Sequence, residues 1–364
     1  MVHIAFHTVL VGAEQLKAFA GNVLVAEGVP TDDAQYVAWH LVETNLRGTD
    51  SHGVARLPHY IRRLRAGSIR RQPIIQFERR TMSLGVIDGD HGLGFLVMRD
   101  AAHQATAIAR EAGTAWVAVR NSSHCGALAP YGLRLADSGM VSFIFTHVDS
   151  MVLPYGAIEP FCGTNPLCFT APGANGKTLC LDMATSIVPW NIIANAQREA
   201  VSIPTGWAVD EAGRDTTDPS AVNALYPFGE HKGSGLGLMI DVLCAMFSGA
   251  PFGPDIPKMY GDLRQQRRLG GLVGAINISA FTSVAGFSER VAELVFRFGQ
   301  LKPASNSSRV LFPGQPELET KAVREVEGIP VGMQIFVELN ALADEANVPR
   351  LEPIPNKGGD PCQS

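Results

Sequence analysis

A histidine occupies a predicted junction between a strand and a helix in the segment RNSSHCGALAPYG, residues 120–132. The preceding run AWVAV is short, apolar and partly β-branched, which favours a buried strand, and apolar residues recur at helical spacing after it. His124 is therefore expected in a loop at the end of a strand. Imidazole titrates near neutral pH, so a histidine there can accept or donate a proton in catalysis. The alternative is a hydrogen-bonded histidine in the core.

A second group of polar side chains lies in NLRGTDSHGVARLPHYI, residues 45–61. Ser51 and His52 are predicted at a turn that begins a helix. Arg56 and Tyr60 follow four and eight residues after His52, a spacing that predicts one shared helix face. A guanidinium binds a carboxylate through two parallel hydrogen bonds, so this segment is a candidate site for an anionic substrate. The alternative is an ordinary capped helix with a solvated polar face.

The segment EHKGSGLGL, residues 230–238, places Lys232 just before a glycine-rich helix start. A cation beside free backbone N–H groups is the outline of a phosphate site; the alternative is a solvent-facing lysine before a tightly packed helix. The sequence has neither a GxGxxG fingerprint after a strand nor a Walker A motif, so another geometry must hold any nucleotide. Two histidines, an arginine and a lysine beside glycine-containing turns are typical of a hydride-transfer enzyme that acts on an anionic substrate.

The periodicity predicts that an α/β scaffold positions these side chains. The first part of the chain is mostly helical in pattern, whereas short apolar runs then alternate with helical stretches. We expect a small helical lobe, residues 1–73 joined by 301–350, and a larger lobe with a sheet, residues 74–300. The segment GANGK, residues 173–177, predicts a hairpin turn, because Asn and Gly tolerate positive φ. Residues 351–364 are expected to be disordered.

The composition excludes several classes of function. Charged residues make up 18% of the 364 residues and the net charge is -5, so we expect small-molecule partners and no nucleic acid. Neither the N-terminal residues nor the apolar window GLGLMIDVLCAMFSGAPFG, which contains Asp241, is expected to be an export or membrane segment. Six scattered cysteines without a CxxC pair predict a reduced, cytoplasmic protein with no disulfide and no metal site.

Several segments resemble, in order, those of the malate/L-lactate dehydrogenase family that lacks a Rossmann fold. They are NLRGTDSHGVARLPHY, RNSSHCGALAPYG, VLPYGAIEPFCGTNPLCFTAPG, LDMATS, SIPTGWAVDEAGRDTTDP and EHKGSGLGLMIDVL. The similarity runs from about residue 10 to 340, nearly the whole chain. It implies a non-Rossmann α/β fold whose larger lobe binds the nucleotide, a homodimer, and interconversion of a 2-hydroxy acid with its 2-oxo acid. The implied cofactor is NAD or NADP, and the unusual fold accounts for the missing GxGxxG.

The resemblance also assigns roles to individual residues. His124 matches the histidine that acts as general acid or base in the family. In some members that role is assigned instead to the histidine at the position of His52. Ser51, His52, Arg56 and Tyr60 match the substrate-binding segment. The positions that match cofactor contacts are Val148, Asp182, Met183, Ala184, Lys232, Gly314, Gln315 and Pro316. Many members have Ser or Asn at the position of Val148 and Glu at the position of Gln315. The side-chain contacts of these two positions are therefore not carried over to this chain.

These assignments give His124 a definite chemistry. In oxidation it accepts the hydroxyl proton while hydride leaves the same carbon, and in reduction the imidazolium returns the proton. A place at a helix N-terminus disfavours the cation and so favours a base ready for oxidation. Gly126 is expected to let a ligand approach the backbone closely.

The sequence leaves several substrates open. Residues 201–263 are more similar to ureidoglycolate dehydrogenase than to the malate or lactate members. The Asp149 carboxylate could accept hydrogen bonds from a ureido group and repel the second carboxylate of malate; the alternative is that it orients His124 or caps a loop. Other candidates are malate, lactate, sulfolactate and cyclic imino acids; reduction of the last needs the same hydride transfer but adds the proton to nitrogen. The alternative from another class is a non-catalytic ligand-binding protein, which the retained Arg56 and Lys232 argue against.

Overall fold

The computed structural model describes residues 7–355 of the chain. In the amino-terminal part the elements are β1 (Thr8–Val11), α1 (Ala13–Ala26), α2 (Thr31–Leu46), α3 (Leu57–Ala66), β2 (Gln76–Arg79), β3 (Leu84–Asp88), α4 (Gly94–Ala112), β4 (Thr114–Ser122), α5 (Ala129–Asp137) and β5 (Met140–Thr146). They are followed by β6 (Leu167–Ala171), β7 (Leu179–Met183), α6 (Trp190–Arg198), β8 (Ala208–Val209), β9 (Ala224–Leu225), α7 (His231–Asp241), β10 (Leu269–Asn277), α8 (Val284–Gly299), α9 (Gln315–Glu327), β11 (Ile329–Gly332) and α10 (Met333–Ala346). Among the described helices, none is long and apolar enough to cross a membrane.

The chain divides into two compact units. The first takes in the sequence up to Ile61 and again from Glu317, and the second extends over Arg62–Pro316. The boundaries that the sequence suggested, at residues 73 and 301, both fall inside the second unit.

Helices dominate the first unit, and apolar residues at helical spacing form its core. Leu16, Ala20 and Val23 of α1 are fully buried, and their spacing of three and four places them on one face. β1 pairs antiparallel with β11, which joins the early and late segments of this unit in one ladder. Two short 3₁₀ turns, Asp50–His52 and Val54–Arg56, connect α2 to α3.

The second unit contains a seven-stranded mixed sheet of order β2-β3-β4-β10-β5-β6-β7. β3 and β4 are parallel, and the other neighbouring strands are antiparallel. α7 continues into one π-helical turn, Val242–Met246. Ile240 and Cys244 of this helical segment are buried against Phe145 and Leu272 of the sheet. This packing holds the end of α7 and the π-helical turn on the sheet.

A hairpin between β6 and β7 confirms the predicted turn at GANGK. The two strands pair antiparallel from Leu167 to Ala171. Asn175 and Gly176 in the connection have φ of 55° and 73°, values that asparagine and glycine tolerate better than other residues. The hairpin carries Asp182 and Met183 at the end of β7.

Two sets of contacts explain why the segments near residues 63 and 313 belong with the sheet. The buried Arg63 guanidinium donates to the carbonyl oxygens of Met259 and Gln265, at 2.8 and 3.1 Å. The Cys180 N–H of β7 donates to the Pro313 carbonyl at 3.1 Å. Such pairings between distant segments leave no trace in local periodicity.

The prediction of a disordered tail covered residues 351–364. Residues 356–364 lie outside the part of the chain that the structure describes. Leu351 is buried, and its N–H donates to Asn340 Oδ1 at 2.7 Å. The Ile354 N–H donates to the Leu10 carbonyl at 2.7 Å. The beginning of the predicted tail is therefore packed on the first unit.

Candidate active site

His124 lies in the loop between β4 and α5, as the sequence predicted. The neighbouring Ser123 hydroxyl accepts a hydrogen bond from the Gly94 N–H and donates one to the Gly92 carbonyl, each at 2.9 Å. A Cβ atom at Gly94 would lie 2.2 Å from the Ser123 carbonyl oxygen, so any larger residue would displace the loop. The start of α4 therefore holds the backbone next to His124.

The His124 ring is half-buried, and its Nδ1 accepts a hydrogen bond from the Gly126 N–H at 3.3 Å. A nitrogen that accepts a hydrogen bond carries no proton, so this contact favours the neutral ring protonated at Nε2. Gly126 has a φ of 73°, which glycine adopts without the strain that a side chain would add. The structure thus gives Gly126 a conformational reason for its place in this loop.

The far end of the loop is held by Asp182 of β7. One carboxylate oxygen, Oδ2, accepts from the Leu128 N–H at 2.9 Å and from the Ala129 N–H at 2.7 Å. Because Ala129 begins α5, Asp182 caps this helix in place of a local residue. The expectation that the helix N-terminus acts on His124 is wrong, since the carboxylate occupies that end. The predicted cofactor contact of Asp182 stays a prediction.

In the first unit, His52, Arg56 and Tyr60 do not share one continuous helix face, contrary to the prediction. His52 ends one 3₁₀ turn, Arg56 ends the next, and Tyr60 lies in α3. Between the turns, Gly53 is extended, with φ of -87° and ψ of -150°. A Cβ at Gly53 would lie 2.1 Å from Asn45 Oδ1. This close approach of the Asn45 amide accompanies the break between the two turns.

Ser51, His52 and Arg56 nevertheless contact one another. Ser51 Oγ lies 2.8 Å from His52 Nδ1, and Arg56 Nε donates to the Ser51 carbonyl at 2.8 Å. Burial, and then the charge of Arg56, lower the pKa of His52 from 6.5 to about 3. His52 is therefore neutral at physiological pH. Tyr60 is buried, with its ring 6.2 Å from that of His59.

Two residues that the sequence did not single out brace this segment. Arg324 of α9 donates to both carboxylate oxygens of Asp50, at 2.7 and 2.9 Å. Asn45 donates to Asp50 at 2.7 Å and accepts from the Val54 N–H at 2.8 Å. Arg324 is 274 residues from Asp50, so only the folded chain reveals the pair.

Asp149 is committed to contacts inside the second unit. Its carboxylate forms a buried ion pair with Arg267 and accepts from the Met259 N–H at 3.1 Å. Arg267 also donates to the Pro257 carbonyl at 3.0 Å. The guanidinium compensates the charge that was to repel malate, and the predicted role of Asp149 in substrate selection stays a prediction. Asp149 also ties the segment after β5 to the loop before β10.

Val148, at a predicted cofactor position, is part of the core. Its side chain packs with Ile256 and Leu269, and its N–H donates to Asn165 Oδ1 at 3.3 Å. Met183, at another such position, is half-buried and packs against the cluster that holds α7 on the sheet. Ala184, which follows it, is also half-buried. Any ligand contact by Val148 would therefore involve backbone atoms, since its side chain is packed away.

Lys232 is exposed in the first turn of α7. The preceding Glu230 has φ of 57° and ψ of -118°, and its side chain does not cap the helix. The N–H groups of Lys232 and Gly233 donate to backbone carbonyls at 3.2 and 3.0 Å, so the predicted phosphate site lacks these two donors. The exposed ammonium and the positive end of the helix remain, and both fit an anionic cofactor.

The last three predicted cofactor positions are Gly314, which precedes α9, and the first two residues of that helix. Gly314 has a φ of 93°, and a Cβ there would lie 3.1 to 3.2 Å from atoms of Cys180. Gln315 accepts from the Phe312 N–H through Oε1 at 3.3 Å, and Pro316 follows within the helix. Glycine thus lets this turn cross β7 closely, and the Gln315 side chain closes it. Their contact with a cofactor stays a prediction.

Three buried polar residues of the second unit also escaped the sequence reasoning. They are His147, Asn165 and Asp241, all almost fully buried. Asn165 and Asp241 lie in segments that carry the family resemblance, and His147 precedes the predicted cofactor position Val148. The available signal was a polar residue inside an apolar stretch, as for Asp241 in LMIDVL, because charged residues are rarely buried without a partner.

Solved structures share this architecture. Malate dehydrogenase from Entamoeba histolytica superposes with a TM-score of 0.90 at 27% identity, over 94% of this chain and 99% of that one. The predicted α/β fold class is therefore confirmed, and the fold is similar to that of this malate dehydrogenase. The sequence matches the malate/L-lactate dehydrogenase family over residues 11–340. The protein belongs to the malate/L-lactate dehydrogenase family, as its motifs predicted, and is thus a dehydrogenase by family.

Two relatives illustrate the range of substrates. Ureidoglycolate dehydrogenase (NAD(+)) from Escherichia coli O157:H7 is 34% identical over 326 residues, which cover 90% of this chain and 93% of that protein. Malate dehydrogenase from Pyrococcus abyssi is 34% identical over 349 residues, 93% of this chain and 95% of that protein. The predicted similarity to ureidoglycolate dehydrogenase is confirmed, but equal identities do not separate the two substrates.

Proposed function

We propose that the protein is an NAD(P)-dependent dehydrogenase that interconverts a 2-hydroxy acid and its 2-oxo acid, with His124 as the acid and base. The observation that carries this assignment is the construction of the loop. The ring is only half-buried, while Ser123 and Asp182 hold the backbone on either side of it. A group that exchanges protons with a ligand needs both a fixed position and access.

The low pKa of His52, about 3, supports a different role for this second histidine. A ring that stays neutral at physiological pH forms hydrogen bonds but does not deliver a proton from its cation. We assign to Ser51 and His52 hydrogen bonds to the substrate, and to Arg56 its carboxylate, because a guanidinium matches a carboxylate in geometry and charge.

In the oxidation direction, His124 takes the hydroxyl proton of the substrate as the carbon becomes a carbonyl, and it then releases that proton to water. In reduction it returns a proton to the same oxygen. The nicotinamide, when bound, supplies the acceptor or donor of hydride. The hydrogen bond from Gly126 to Nδ1 is broken when the ring is doubly protonated, so it favours the neutral ring between turnovers.

The residues present fit an anionic dinucleotide. Lys232 is exposed at the start of α7, and the Glu230 side chain makes no hydrogen bond to that helix end. A cofactor phosphate there would meet a cation and the positive end of a helix dipole. The name of the ureidoglycolate relative includes NAD(+), and NADP is the other cofactor that we propose to test.

Ureidoglycolate is the first substrate to test, because a ureidoglycolate dehydrogenase is among the relatives of this chain. The resemblance of residues 201–263 to that enzyme, noted in the sequence, also supports this choice. The test measures kcat/KM for ureidoglycolate, malate, lactate and sulfolactate with NAD and NADP, and for cyclic imino acids with NADH and NADPH, from absorbance at the nicotinamide band. A preference for malate of tenfold or more would overturn the ureidoglycolate assignment. Binding of these acids without turnover by any of them would indicate a non-catalytic ligand-binding protein.

A homodimer in the cytoplasm is proposed as the working form. Exposed apolar side chains on α7 and the π turn, Leu238, Met239, Met246 and Phe247, support an interface between two copies, because large apolar patches on a soluble protein mark interaction sites. The buried free thiols of the described cysteines support a reducing compartment. Light scattering of the wild type and of Met239→Lys tests the dimer: the variant should be monomeric, and a monomeric wild type would contradict the proposal.

A further inference from the structure

The segment that follows β5 is anchored at three successive residues. His147 contacts Asp241 at the end of α7, the Val148 N–H contacts Asn165, and Asp149 contacts Arg267. All of these polar side chains are almost fully buried. A backbone segment held at every residue by a different element has little freedom to shift.

The protonation of His147 follows from its contacts. Nε2 accepts a hydrogen bond from the Gly270 N–H of β10 at 2.8 Å, so this nitrogen carries no proton. The proton of the neutral ring must be on Nδ1, which lies 3.1 Å from Asp241 Oδ1. His147 therefore donates to the carboxylate and connects α7 to the central strand of the sheet.

A buried carboxylate in this place is costly. No N–H or O–H of the described chain donates to the second oxygen of Asp241, Oδ2. The Cys162 thiol is hydrogen-bonded to the carboxylate, and burial, the charge of Asp241 and this hydrogen bond raise the pKa of Cys162 to about 12. Packing alone would be better served by an apolar residue, because desolvation of an ion outweighs the few hydrogen bonds that it makes here. The cost suggests that the contact serves to define a position.

A second tie joins the same two elements. Asn165 accepts from the Val148 N–H through Oδ1 and donates through Nδ2 to the Gly237 carbonyl of α7, at 2.9 Å. Gly237 and Asp241 are four residues apart and hence lie on one face of the helix. Both ties therefore fix the rotation and the axial position of α7 against residues 147–148.

We propose that Asp241 is a positioning residue that acts through His147 to hold α7, and with it Lys232, in register with the backbone at Val148. This inference rests on the cofactor role proposed for Lys232 and on the cofactor contact that the family resemblance implies for Val148. Asp241 touches neither substrate nor cofactor in this scheme. Without this contact, the distance between Lys232 and the Val148 backbone is no longer fixed. Cofactor binding is then weakened more than the chemical step is slowed.

The test compares Asp241→Leu, Asp241→Ser and Asp241→Asn in the full chain. The dissociation constants of NADH and NADPH are measured by nicotinamide fluorescence, together with kcat, KM and Tm. We expect the Leu and Ser variants to raise the dissociation constant tenfold or more with kcat within threefold. The Asn variant should bind within threefold of wild type, because its amide oxygen still accepts from His147 Nδ1. A folded Leu or Ser variant with wild-type affinity overturns the proposal.

A matched control separates position from general stability. Leu24→Ala removes a fully buried side chain of α1 in the first unit, so it should lower Tm by several degrees and leave cofactor affinity unchanged. If neither Asp241→Leu nor Asp241→Ser folds, amide hydrogen exchange of the wild type is the test. NADH or NADPH should slow exchange of the Gly270 N–H, which donates to His147 Nε2. Unchanged exchange there overturns the inference. A wild type that binds neither cofactor contradicts the proposed function instead.

Discussion

The Asp182 carboxylate at the end of β7 lies 2.7 Å from the backbone nitrogen of Ala129, the first residue of α5. One strand end thus supplies the cap of a helix that begins more than fifty residues earlier in the sequence. Because His124 is located just before that helix, the hairpin of β6 and β7 takes part in placing the catalytic candidate.

Replacing Asp182 by Ala removes the acceptor for the Leu128 and Ala129 N–H groups. Loss of a helix cap costs about 1 kcal/mol, so the free energy of unfolding in urea should fall by about that amount. Asp182→Asn keeps one acceptor oxygen and should lose less. Equal stability of Ala and wild type would show that the two hydrogen bonds contribute nothing.

His124→Ala should lower kcat by about a hundredfold or more, as loss of a general acid and base does. The fold should persist, because the side chain is half-buried and sits in a loop. Circular dichroism and steady-state kinetics check both points. His103→Ala, at an exposed position of α4, is the matched control. Near-normal kcat in a folded His124 variant would remove the residue from the mechanism.

Arg56→Lys should raise the KM of the acid substrate about tenfold or more, because a point charge replaces a bidentate fork. The variant also loses the contact from Nε to the Ser51 carbonyl, so Ser51 and His52 should be less well placed. Arg62→Lys on the exposed side of α3 controls for the general effect of the exchange. An effect confined to cofactor affinity would require a different role for Arg56.

The depressed pKa of His52 predicts how stability depends on pH. The folded protein binds a proton at His52 only near pH 3, whereas the unfolded chain binds one near 6.5. The contribution of neutral His52 to the free energy of unfolding is therefore complete above pH 6.5, and it is lost as the pH falls from 6.5 toward 3. His52→Gln should flatten the fall in unfolding free energy between pH 6.5 and 4, and His103→Gln should not. Parallel curves for the His52 variant and wild type would contradict the shift.

Glu230 has a backbone conformation, φ of 57° and ψ of -118°, that suits glycine at the first central position of a type II′ turn. Strain of this kind costs about 1 to 3 kcal/mol. Glycine removes the strain, but it also raises the conformational entropy of the unfolded chain, which offsets part of the gain in stability. Glu230→Gly should therefore raise the unfolding free energy by about 1 kcal/mol. Glu230→Ala keeps the strain and is the control. If both variants match wild type in thermal and urea unfolding, the turn is not strained.

Local features of the site were open to sequence reasoning. A strand, a loop histidine and a helix follow one another within RNSSHCGALAPYG, and the GANGK turn depends on its own Asn and Gly. Such features arise from neighbouring residues, so periodicity and turn chemistry predict them. The order of the family motifs then pointed to the fold.

The contacts that complete the site are long-range. His147 and Asp241 are 94 residues apart, and Asp149 and Arg267 are 118 apart. Periodicity carries no information about such pairs, so the sequence could not reveal that Arg267 pairs with the Asp149 carboxylate. The break at Gly53 was missed for a similar reason, since Asn45 approaches it from another helix and interrupts the helical spacing of His52 and Arg56.

The place of β10 in the sheet has a consequence for synthesis of the protein. β4 and β5 leave the ribosome early, yet the strand that separates and pairs with both of them is made much later. Until then, two strand edges carry unpaired amides and carbonyls, which are templates for aggregation. A chain that ends before Leu269 retains both open edges. Such a truncated chain should therefore aggregate more readily than the full chain, although it contains six of the seven strands of the sheet.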